Sequence, residues 1–501
     1  MPGLPPPFPL SVRLNRNCFV SADTKTLPSR SILSGNRSPG GRTVMLVVVL
    51  VAELMNALDG SVVYTALPSI QHDTGASGAA VQWIHAAYAL TFALGLITGG
   101  RLGDLYGRKR LFLLGTGVFT AASLLCGLAG TPALLIAARV VQGGAAVVMV
   151  PQVLATLHVS FDEGSRAKAF GLYGTVMSLG SVAGPVLGGV LTGADVFGLG
   201  WRPIFLINLP IGLATVLLGL RYLPESRDLT ARRPDLTGMA LAGLGLLLVM
   251  YPLTVGGAHQ WPAWSFLMMG GGMLALAGFV VQQRARTARG RDPLVVLALF
   301  RSRTFAAGLS AQLVFGLLSG VFFLAWTLFM QDGLGLSPRR AAVGFVVASV
   351  GEMAGAWLAM SAAGGRGRRA PQAGALLAAA ALGGYVWLIR DQGTVLSPAL
   401  TVLPLLPVGL GLGMVGAALA DMTLRQVDHD HAGSASGIFN TSTQLGIALG
   451  TALTAVVFFA RFPAGSHGTT VTAAFTGALW YVIAALLAMW ALMLLLPKCR
   501  P

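Results

Sequence analysis

Residues 100–110 read Gly100-Arg101-Leu102-Gly103-Asp104-Leu105-Tyr106-Gly107-Arg108-Lys109-Arg110. They join two long apolar runs, residues 83–102 and 111–130, and each run is long enough to cross a bilayer as a helix. Because the link is short, the two helices must be antiparallel neighbours. A cluster of basic residues at the end of a span marks the cytoplasmic side of a membrane.

Within this 100–110 loop, Asp104 is the lone acid. It can accept hydrogen bonds from Arg108, four residues later, or lie at a helix N-terminus, where negative charge is favoured. Gly103 and Gly107 let backbones approach closely, and Gly107 also permits the dihedral angles of a tight turn. We therefore predict a charged cytoplasmic loop that gates the protein. An ordinary loop with positive residues inside is the alternative.

The composition is that of a membrane protein. Of 501 residues, 54% are hydrophobic and only 10% are charged. The net charge of +16 does not indicate nucleic-acid binding, because the basic residues lie scattered in short loops without interleaved aromatic residues. Cys18, Cys126 and Cys499 lack the spacing of a metal site or a disulfide framework, so we expect no metal and no cofactor.

Fourteen apolar spans follow a polar segment, residues 1–42, that is rich in Pro, Ser, Gly and Arg. We predict a disordered cytoplasmic tail for that segment. The predicted spans are 43–67, 83–102, 111–130, 133–157, 170–191, 204–223, 236–255, 264–281, 305–329, 341–363, 373–389, 399–420, 433–460 and 472–496.

Basic residues test this count. With the N-terminus inside, most of the 34 Lys and Arg residues fall on the inner side, as the positive-inside rule demands. The outer segments hold only Arg202, Arg339, Arg340, Arg390 and Arg461. Both termini should therefore be cytoplasmic. We predict an all-α membrane protein with a six-helix bundle over 43–223, a linker with two additional helices over 224–303, and a second six-helix bundle over 304–497.

The first span carries three polar side chains, Glu53, Asn56 and Asp59, within an arc of roughly 120° on one helix face. An ionisable residue inside a membrane is costly and is a functional candidate by default. A carboxyl group in such a place can bind and release a proton near neutral pH, so we assign proton coupling to Asp59 and Glu53. The alternative for Asp59 is a structural hydrogen bond to the backbone or to Asn56.

Two further spans carry polar candidates. Arg139 and Gln142 lie three residues apart and share a helix face. Arg139 is always charged, so it would bias a nearby acid rather than carry protons itself; a structural ion pair is the alternative. Glu352 is a lone acid in the tenth span. We predict that Asn56, Gln142 and Glu352 bind substrate, with a polar neighbour as the alternative partner of Glu352.

The fifth span contains Gly180-Ser181-Val182-Ala183-Gly184-Pro185-Val186-Leu187-Gly188-Gly189. Glycines at every fourth position make a flat stripe for close helix contact. Pro185 removes one backbone hydrogen bond and can kink the helix. This combination suits a hinge or seal between two halves, and plain helix packing is the alternative.

The 100–110 loop resembles the loop signature of the major facilitator superfamily. Gly100, Leu102, Asp104, Gly107, Arg108 and Lys109 match, and Leu105 departs from the pattern. In the first span, Leu58, Asp59, Val62, Ala66, Leu67 and Pro68 resemble the signature of drug–proton antiporters, in which Ser61 and Tyr64 stand where Thr and Asn are usual.

Three more stretches resemble patterns of this family. Arg139, Gln142 and Gly143 match the family's fourth-span pattern, and the fifth-span stripe matches the pattern that marks exporters within the superfamily. The segment 201–212, which begins Trp201-Arg202 and includes Asn208, resembles the fourteen-helix branch of those antiporters, with Pro203 in place of an aromatic residue.

The resemblance implies proton-coupled efflux of small hydrophobic molecules such as drugs and antibiotics, by alternating access across the cell membrane. It implies substrate, protons and lipid as partners, and we expect a monomer. Dedicated export of one metabolite or amphiphile is the alternative. A polytopic membrane enzyme or sensor is a different class; only Asp428, His429, Asp430 and His431 cluster as an enzyme site would, and we expect no enzyme.

Overall fold

A computed structural model of the chain describes residues 39–161, 163–227, 235–256, 259–291, 293–361, 368–392, 397–424, 432–458 and 469–495. All regular elements in these ranges are helices. The first helix already begins at Pro39, so the prediction of a disordered tail up to residue 42 is wrong for its last four residues. The rest of that tail and the cluster from Asp428 to His431 lie outside the described residues.

The helices are as follows. They are α1 Pro39–Thr74, α2 Gly78–Tyr106, α3 Arg108–Gly127, α4 Pro132–Ser160, α5 Glu163–Ala194, α6 Pro203–Leu206, α7 Asn208–Tyr222, α8 Leu236–Val255, α9 Ala263–Ala288, α10 Arg303–Leu328, α11 Pro338–Ser361, α12 Arg369–Gln392, α13 Pro398–Val402, α14 Leu405–Leu424, α15 Ala432–Val457 and α16 Thr469–Leu492.

Each predicted span corresponds to one helix or to a short and a long piece in series. The twelfth span divides into α13 and α14 at Pro404, whose ring cannot donate a backbone hydrogen bond. Thirteen segments of the described chain are long and apolar enough to cross a membrane. The predicted span 433–460 corresponds to α15, which is of similar length but carries the polar run Asn440-Thr441-Ser442-Thr443-Gln444 and is not among the thirteen.

The helices group into two bundles. Helices α1 to α7 pack on one another, as do α10 to α16, and the bundles meet along two seams, α2 with α15 and α5 with α11. The additional helices α8 and α9 pack as a pair, and α8 also contacts α2 and α15. The predicted boundaries after residues 223 and 303 stay predictions, because helix contacts alone do not define independent domains.

The 100–110 loop is almost entirely helical. Gly107 alone joins α2 to α3, and its φ of 104° is accessible to glycine at little cost. Asp104 accepts from Nε and Nη2 of Arg108 at 3.1 and 2.7 Å. It lies in the last turn of α2, so the alternative placement at a helix N-terminus is wrong.

We call the end of the molecule that carries this loop the loop end, and the opposite end the far end. At the far end, α10 continues into a π-helical turn, Phe329–Gly333, whose polar side chains reach α1 in the other bundle. Gln331 Nε2 donates to the Thr65 carbonyl at 2.8 Å, and His72 Nε2 lies 3.3 Å from Asp332 Oδ1. These far-end contacts join the two bundles at one end of the molecule.

Candidate functional site

Asp59 lies inside the first bundle, where its side chain is inaccessible to solvent. It forms an ion pair with Arg139 of α4, whose side chain is equally inaccessible. Its Oδ1 accepts from Gln142 Nε2 at 2.8 Å and from Asn208 Nδ2 at 2.9 Å. Donors from two helices, α4 and α7, thus converge on one carboxylate of α1. We call these four side chains the Asp59 network.

Arg139 is held on several sides. Its Nε donates to the Ile84 carbonyl at 3.2 Å, and its Nη1 donates to Gln142 Oε1 at 2.8 Å as well as to Asp59. The guanidinium carbon lies 4.2 Å from the centre of the Tyr88 ring, a cation–π distance. Its Nη2 has no hydrogen-bond partner among the described residues. The guanidinium is therefore held by the Ile84 carbonyl, Gln142 and the Tyr88 ring as well as by the carboxylate that it neutralises.

Asn208 was not predicted as a site residue. It begins α7 and donates to Ser123 Oγ at 3.2 Å in addition to Asp59, while Gln142 donates to the same hydroxyl at 2.8 Å. A carboxamide inside the otherwise apolar sixth span was the signal that could have indicated it. Ser123 gave no such signal, because serines are common in membrane helices.

A second polar group lies toward the loop end of α1. The Tyr88 hydroxyl donates to Asn56 Oδ1 at 2.7 Å, and Asn56 Nδ2 lies 3.5 Å from Glu53 Oε1. Glu53 is fully buried. Because the Tyr88 ring also lies against Arg139, the two acids of α1 are connected through Asn56, Tyr88 and Arg139. Protonation of either acid therefore changes the surroundings of the other.

The three predicted substrate-binding residues do not form one cluster. Gln142 and Asn56 are buried and bonded within the first bundle. Glu352 lies on α11 in the second bundle, where it is exposed and its carboxylate has no hydrogen bond among the described residues.

The fifth-span stripe faces α1 closely. A Cβ added at Gly180 would collide with Ala57, one at Gly184 with Ser61 and one at Gly188 with Thr65. Thr65 Oγ1 donates to the Pro185 carbonyl at 3.0 Å, a carbonyl near the kink-prone position. Gly189 faces the other way, against Ala342 and Pro338 of α11. The α5 helix therefore lies between α1 of its own bundle and α11 of the other bundle.

The 100–110 loop has a partner that the sequence did not indicate. Glu225, just after α7, accepts from the Lys109 backbone amide at 3.3 Å and lies 3.6 Å from Arg110 Nε. Lys109 Nζ donates to the Leu220 carbonyl at 2.6 Å. The basic end of the loop is thus attached to the end of the first bundle. In the described part of the chain, no group of three or more His, Cys, Asp or Glu side chains could hold a metal ion.

Comparison with known proteins identifies the family of this chain and several relatives. Residues 49–451 match the family model described as Major Facilitator Superfamily. The probable actinorhodin transporter of Streptomyces coelicolor is 42% identical over 85% of this chain and 74% of its own length. The puromycin resistance protein of Streptomyces alboniger is 37% identical over 90% of this chain and 89% of its own length. The cephamycin export protein of Amycolatopsis lactamdurans is 38% identical over 82% of this chain and 84% of its own length.

Solved structures give the same fold at low identity. The crystal structure of a D-xylose–proton symporter aligns with a TM-score of 0.63 at 15% identity, over 91% of this chain and 98% of that one. A bacterial homologue of the lysosomal transporter Spinster aligns with a TM-score of 0.61 at 17% identity, over 92% and 97%. At this identity the likeness shows the fold alone.

Proposed function

Since the chain belongs to the major facilitator superfamily, we propose that it exports small, largely hydrophobic molecules across the cell membrane in exchange for protons, by alternating access. Relatives named for the export of, or resistance to, actinorhodin, cephamycin and puromycin support the export role. The proposal places the loop end in the cytoplasm, as the basic residues of the 100–110 loop favour. It takes the monomer as the transporting unit.

The observation that carries the coupling role is the solvent-free Asp59–Arg139 pair. When Asp59 is ionised, Arg139, Gln142 and Asn208 all donate to it. When a proton binds its carboxylate, the ion pair is lost and Arg139 remains a buried cation without a counter-charge. Such a state is costly and favours rearrangement of α1 against α4. Glu53, linked through Asn56 and Tyr88, is the second proton-binding group in the proposal.

The two other predicted elements have conformational roles in this proposal. Asp104 and Arg108 stabilise one conformational state at the cytoplasmic face, together with Gly100, Gly107 and Lys109. The stripe of Gly180, Gly184, Pro185, Gly188 and Gly189 lets α5 move against its neighbours without separating from them. Glu352, exposed on α11, offers a negative charge to a cationic substrate.

The Asp59→Asn variant tests proton coupling. It removes the titratable group and keeps its size, so substrate should still bind and exchange down its own gradient. Uptake driven by a pH gradient into inside-out vesicles should stop. Asp73→Asn is the control, because Asp73 is also on α1 but lies near its end, where its side chain is 46% exposed and pairs with Arg202 at the surface. Undiminished pH-driven uptake by Asp59→Asn would move coupling to Glu53 or Glu352.

A dedicated exporter is the second candidate, because several relatives bear the name of a single antibiotic. A drug-susceptibility panel in an efflux-deficient host separates the two. A multidrug exporter raises resistance to several unrelated compounds, whereas a dedicated one raises resistance to one chemical class.

A further inference from the structure

Tyr64 and His85 form a buried pair that lies outside the Asp59 network. Tyr64 is on α1 and His85 is on α2, and the two residues are 7% and 3% exposed. The Tyr64 hydroxyl lies 2.8 Å from His85 Nε2, and the centres of the two rings are 4.3 Å apart. The signature of drug–proton antiporters has Asn at the position of Tyr64, so this hydrogen bond is not part of that resemblance.

The His85 ring depends on Tyr64 for its position. Its Nδ1 has no hydrogen-bond partner among the described residues, so the bond at Nε2 is the one that anchors the ring there. The charged group that acts on the ring is Arg139 of α4. Helices α10 and α15, which face the pair from the second bundle, carry no acidic residue and no histidine. Tyr64 is thus the hydrogen-bond anchor of His85, and Arg139 is its charged neighbour.

The Asp59 network reaches this pair through the backbone of α2. Arg139 Nε donates to the carbonyl of Ile84, the residue directly before His85, at 3.2 Å. Ile84 is fully buried, so water cannot replace this contact. Loss of the ion pair with Asp59 frees Arg139 to move, and any movement of its guanidinium therefore acts on α2 beside His85.

On its other side, the pair contacts the second bundle. The Tyr64 ring lies 5.8 Å from the Phe323 ring of α10, and the Tyr64 hydroxyl also interacts with the Thr451 side chain of α15. The Phe323 ring stacks on Phe345 of α11, with 5.6 Å between the ring centres. Tyr64 is therefore packed, directly or through Phe323, against three helices of the second bundle.

The residue after Tyr64 takes part in the far-end contacts. The Thr65 carbonyl accepts from Gln331 Nε2 at 2.8 Å, so a displacement of Tyr64 moves the group to which Gln331 is bonded. Hydrogen bonds and peptide bonds thus alternate along one route between the proton-binding acid and the far end. The route runs from Asp59 through Arg139, Ile84, His85, Tyr64 and Thr65 to Gln331.

We propose that His85 and Tyr64 are positioning residues, whose hydrogen bond makes separation of the far-end contacts depend on the protonation of Asp59. While Asp59 is ionised and no substrate is bound, Arg139 stays in place and the far end stays joined. A proton on Asp59 releases Arg139, and the bond carries the displacement to the Gln331 contact. Without the bond, the empty protein also opens and closes, so transport continues but is no longer coupled. This inference rests on the proposed function, because it specifies how proton binding is linked to opening.

Transport of radiolabelled ethidium into inside-out vesicles tests the link. Tyr64→Phe removes the hydroxyl and keeps the ring against Phe323. Uptake driven by a pH gradient should fall about tenfold or more, whereas counterflow without a gradient should stay within about twofold of wild type. A purely structural defect would lower both rates together. Tyr385→Phe is the matched control and should change neither, because its buried hydroxyl donates to the Thr401 carbonyl at 2.9 Å inside the second bundle.

Two variants of His85 separate its hydrogen bond from its protonation. The amide of His85→Gln can bond to the Tyr64 hydroxyl but cannot titrate, so pH-driven uptake should stay within about threefold of wild type. His85→Leu cannot form the bond and should lose about tenfold or more. An equal loss in both variants would overturn the positioning role.

A double variant tests whether the two residues act through the same bond. Tyr64→Phe combined with His85→Leu should lose no more pH-driven uptake than either single change, because each removes the same interaction. Losses that multiply in the double variant would overturn the assignment.

A second measurement follows the far end directly. In a protein without its native cysteines, His72→Cys and Asp332→Cys can be cross-linked while the far end is joined. Their cross-linking rate should change with pH, after correction for the reactivity of an Asp73→Cys and Arg202→Cys pair within one bundle. In the Tyr64→Phe background the corrected rate should be independent of pH. A pH dependence equal to that of the parent pair would overturn the inference.

The outcomes keep the two proposals apart. Wild-type vesicles without pH-driven uptake would refute the proposed function. A coupled wild type together with a fully coupled Tyr64→Phe protein would overturn this inference alone. If Tyr64→Phe fails to reach the membrane, the comparison of His85→Gln with His85→Leu decides the question.

Discussion

Asp59 and Arg139 are two charges in surroundings where each is costly alone. Removing one partner of a buried ion pair leaves an uncompensated charge, at a cost of about 3–5 kcal/mol. The surface pair of Asp73 and Arg202 is different, because their side chains are 46% and 28% exposed and water compensates either charge. The chain therefore contains a buried and an exposed version of the same ion pair on α1.

The Arg139→Lys variant should lose pH-driven transport by about 10–100-fold, the equivalent of losing a hydrogen bond to a charged group. Lysine keeps the charge but cannot span the Ile84 carbonyl, Gln142 and Asp59 as the guanidinium does. Transport in inside-out vesicles measures the effect. Arg202→Lys is the control and should change it little; a fully active Arg139→Lys protein would mean that charge alone suffices.

At the residue scale, the sequence predicts which buried charged residues matter better than it predicts the polar residues that hydrogen-bond to them. Asp59 and Arg139 are conspicuous because each is an ionisable residue within an apolar span. Asn208 is 149 positions from Asp59 and Ser123 is 19 positions from Gln142. Which amide or hydroxyl meets which carboxylate depends on how four helices pack, and that information is absent from any single span.

The contact of α1 with α5 joins two elements without bulky side chains between them. Ser61 Oγ donates to the Gly180 carbonyl at 3.2 Å, and Thr65 bonds similarly to Pro185 one turn later. Close backbone approach makes such hydrogen bonds available, and small residues are what allows it. The sequence predicted a close contact for this stripe but not which helix would supply the other side.

Replacing Gly184 by valine should abolish efflux, because the branched side chain would overlap Ser61 and the Leu58 carbonyl. Alanine at the same position should cause a partial loss. Gly174→Val is the control on the same helix, since a Cβ there meets nothing within 4 Å. Dye efflux normalised to protein in the membrane measures all three, and an active Gly184→Val protein would mean that α1 and α5 can separate.

The α8–α9 pair depends on one acid outside the membrane spans. The pKa of Asp235 lies below its ordinary value of 3.8, although burial acts to raise it. The hydrogen bonds from the Gly238 amide, Gln283 and Gln282 outweigh burial, with help from the charge of Arg286. An ionised carboxylate is therefore what holds the start of α8 against the end of α9.

A lowered pKa in the folded state fixes the sign of the pH dependence. The stabilisation is complete above the ordinary carboxyl pKa and is lost as the pH falls through the lowered value. Wild type should therefore unfold at a higher temperature than Asp235→Asn at pH 7, and the difference should shrink below about pH 4. Thermal unfolding in detergent across this range measures it, and a difference that persists unchanged at pH 2–3 would contradict this origin.

At the scale of the whole molecule, the far-end contacts join the two bundles. Gln331 and Asp332 reach α1 from a π-helical turn, a local widening that often occurs at functional positions. Opening toward the far side must break these contacts.

Locking the far end should stop transport. A short, reducible cross-linker between cysteines placed at His72 and Asp332 should reduce efflux about tenfold or more, because it joins two bundles that must separate. The control pair, Asp73→Cys with Arg202→Cys, lies at the same end but within one bundle, so its cross-link should be tolerated. Reductant should restore efflux to the first pair. Full activity of the cross-linked His72–Asp332 pair would show that the far end need not open there.

The positions of most spans could be predicted from sequence, because apolar runs of about twenty residues carry that information directly. The orientation in the membrane stays a prediction from the asymmetric basic loops. The position of α8 in the α2–α15 seam could not. Its sequence is apolar on all sides, so no face indicates whether a protein or a lipid neighbour lies against it. The groove that receives it is made of alanines on two helices that are far apart in the chain.

During synthesis, Asp59 is made well before the residues that pair with it. The ribosome makes it 80 residues before Arg139 and 149 residues before Asn208. At about 5–20 residues per second, the carboxylate waits roughly 4–16 s for its counter-ion and up to roughly 30 s for the last of its donors. Through that interval α1 carries an acid without its partners, so it enters the bilayer either with the carboxyl protonated or while still held by the insertion machinery. The pair that serves transport in the finished protein thus makes the first helix dependent on the fourth and the seventh before the nascent chain is half complete.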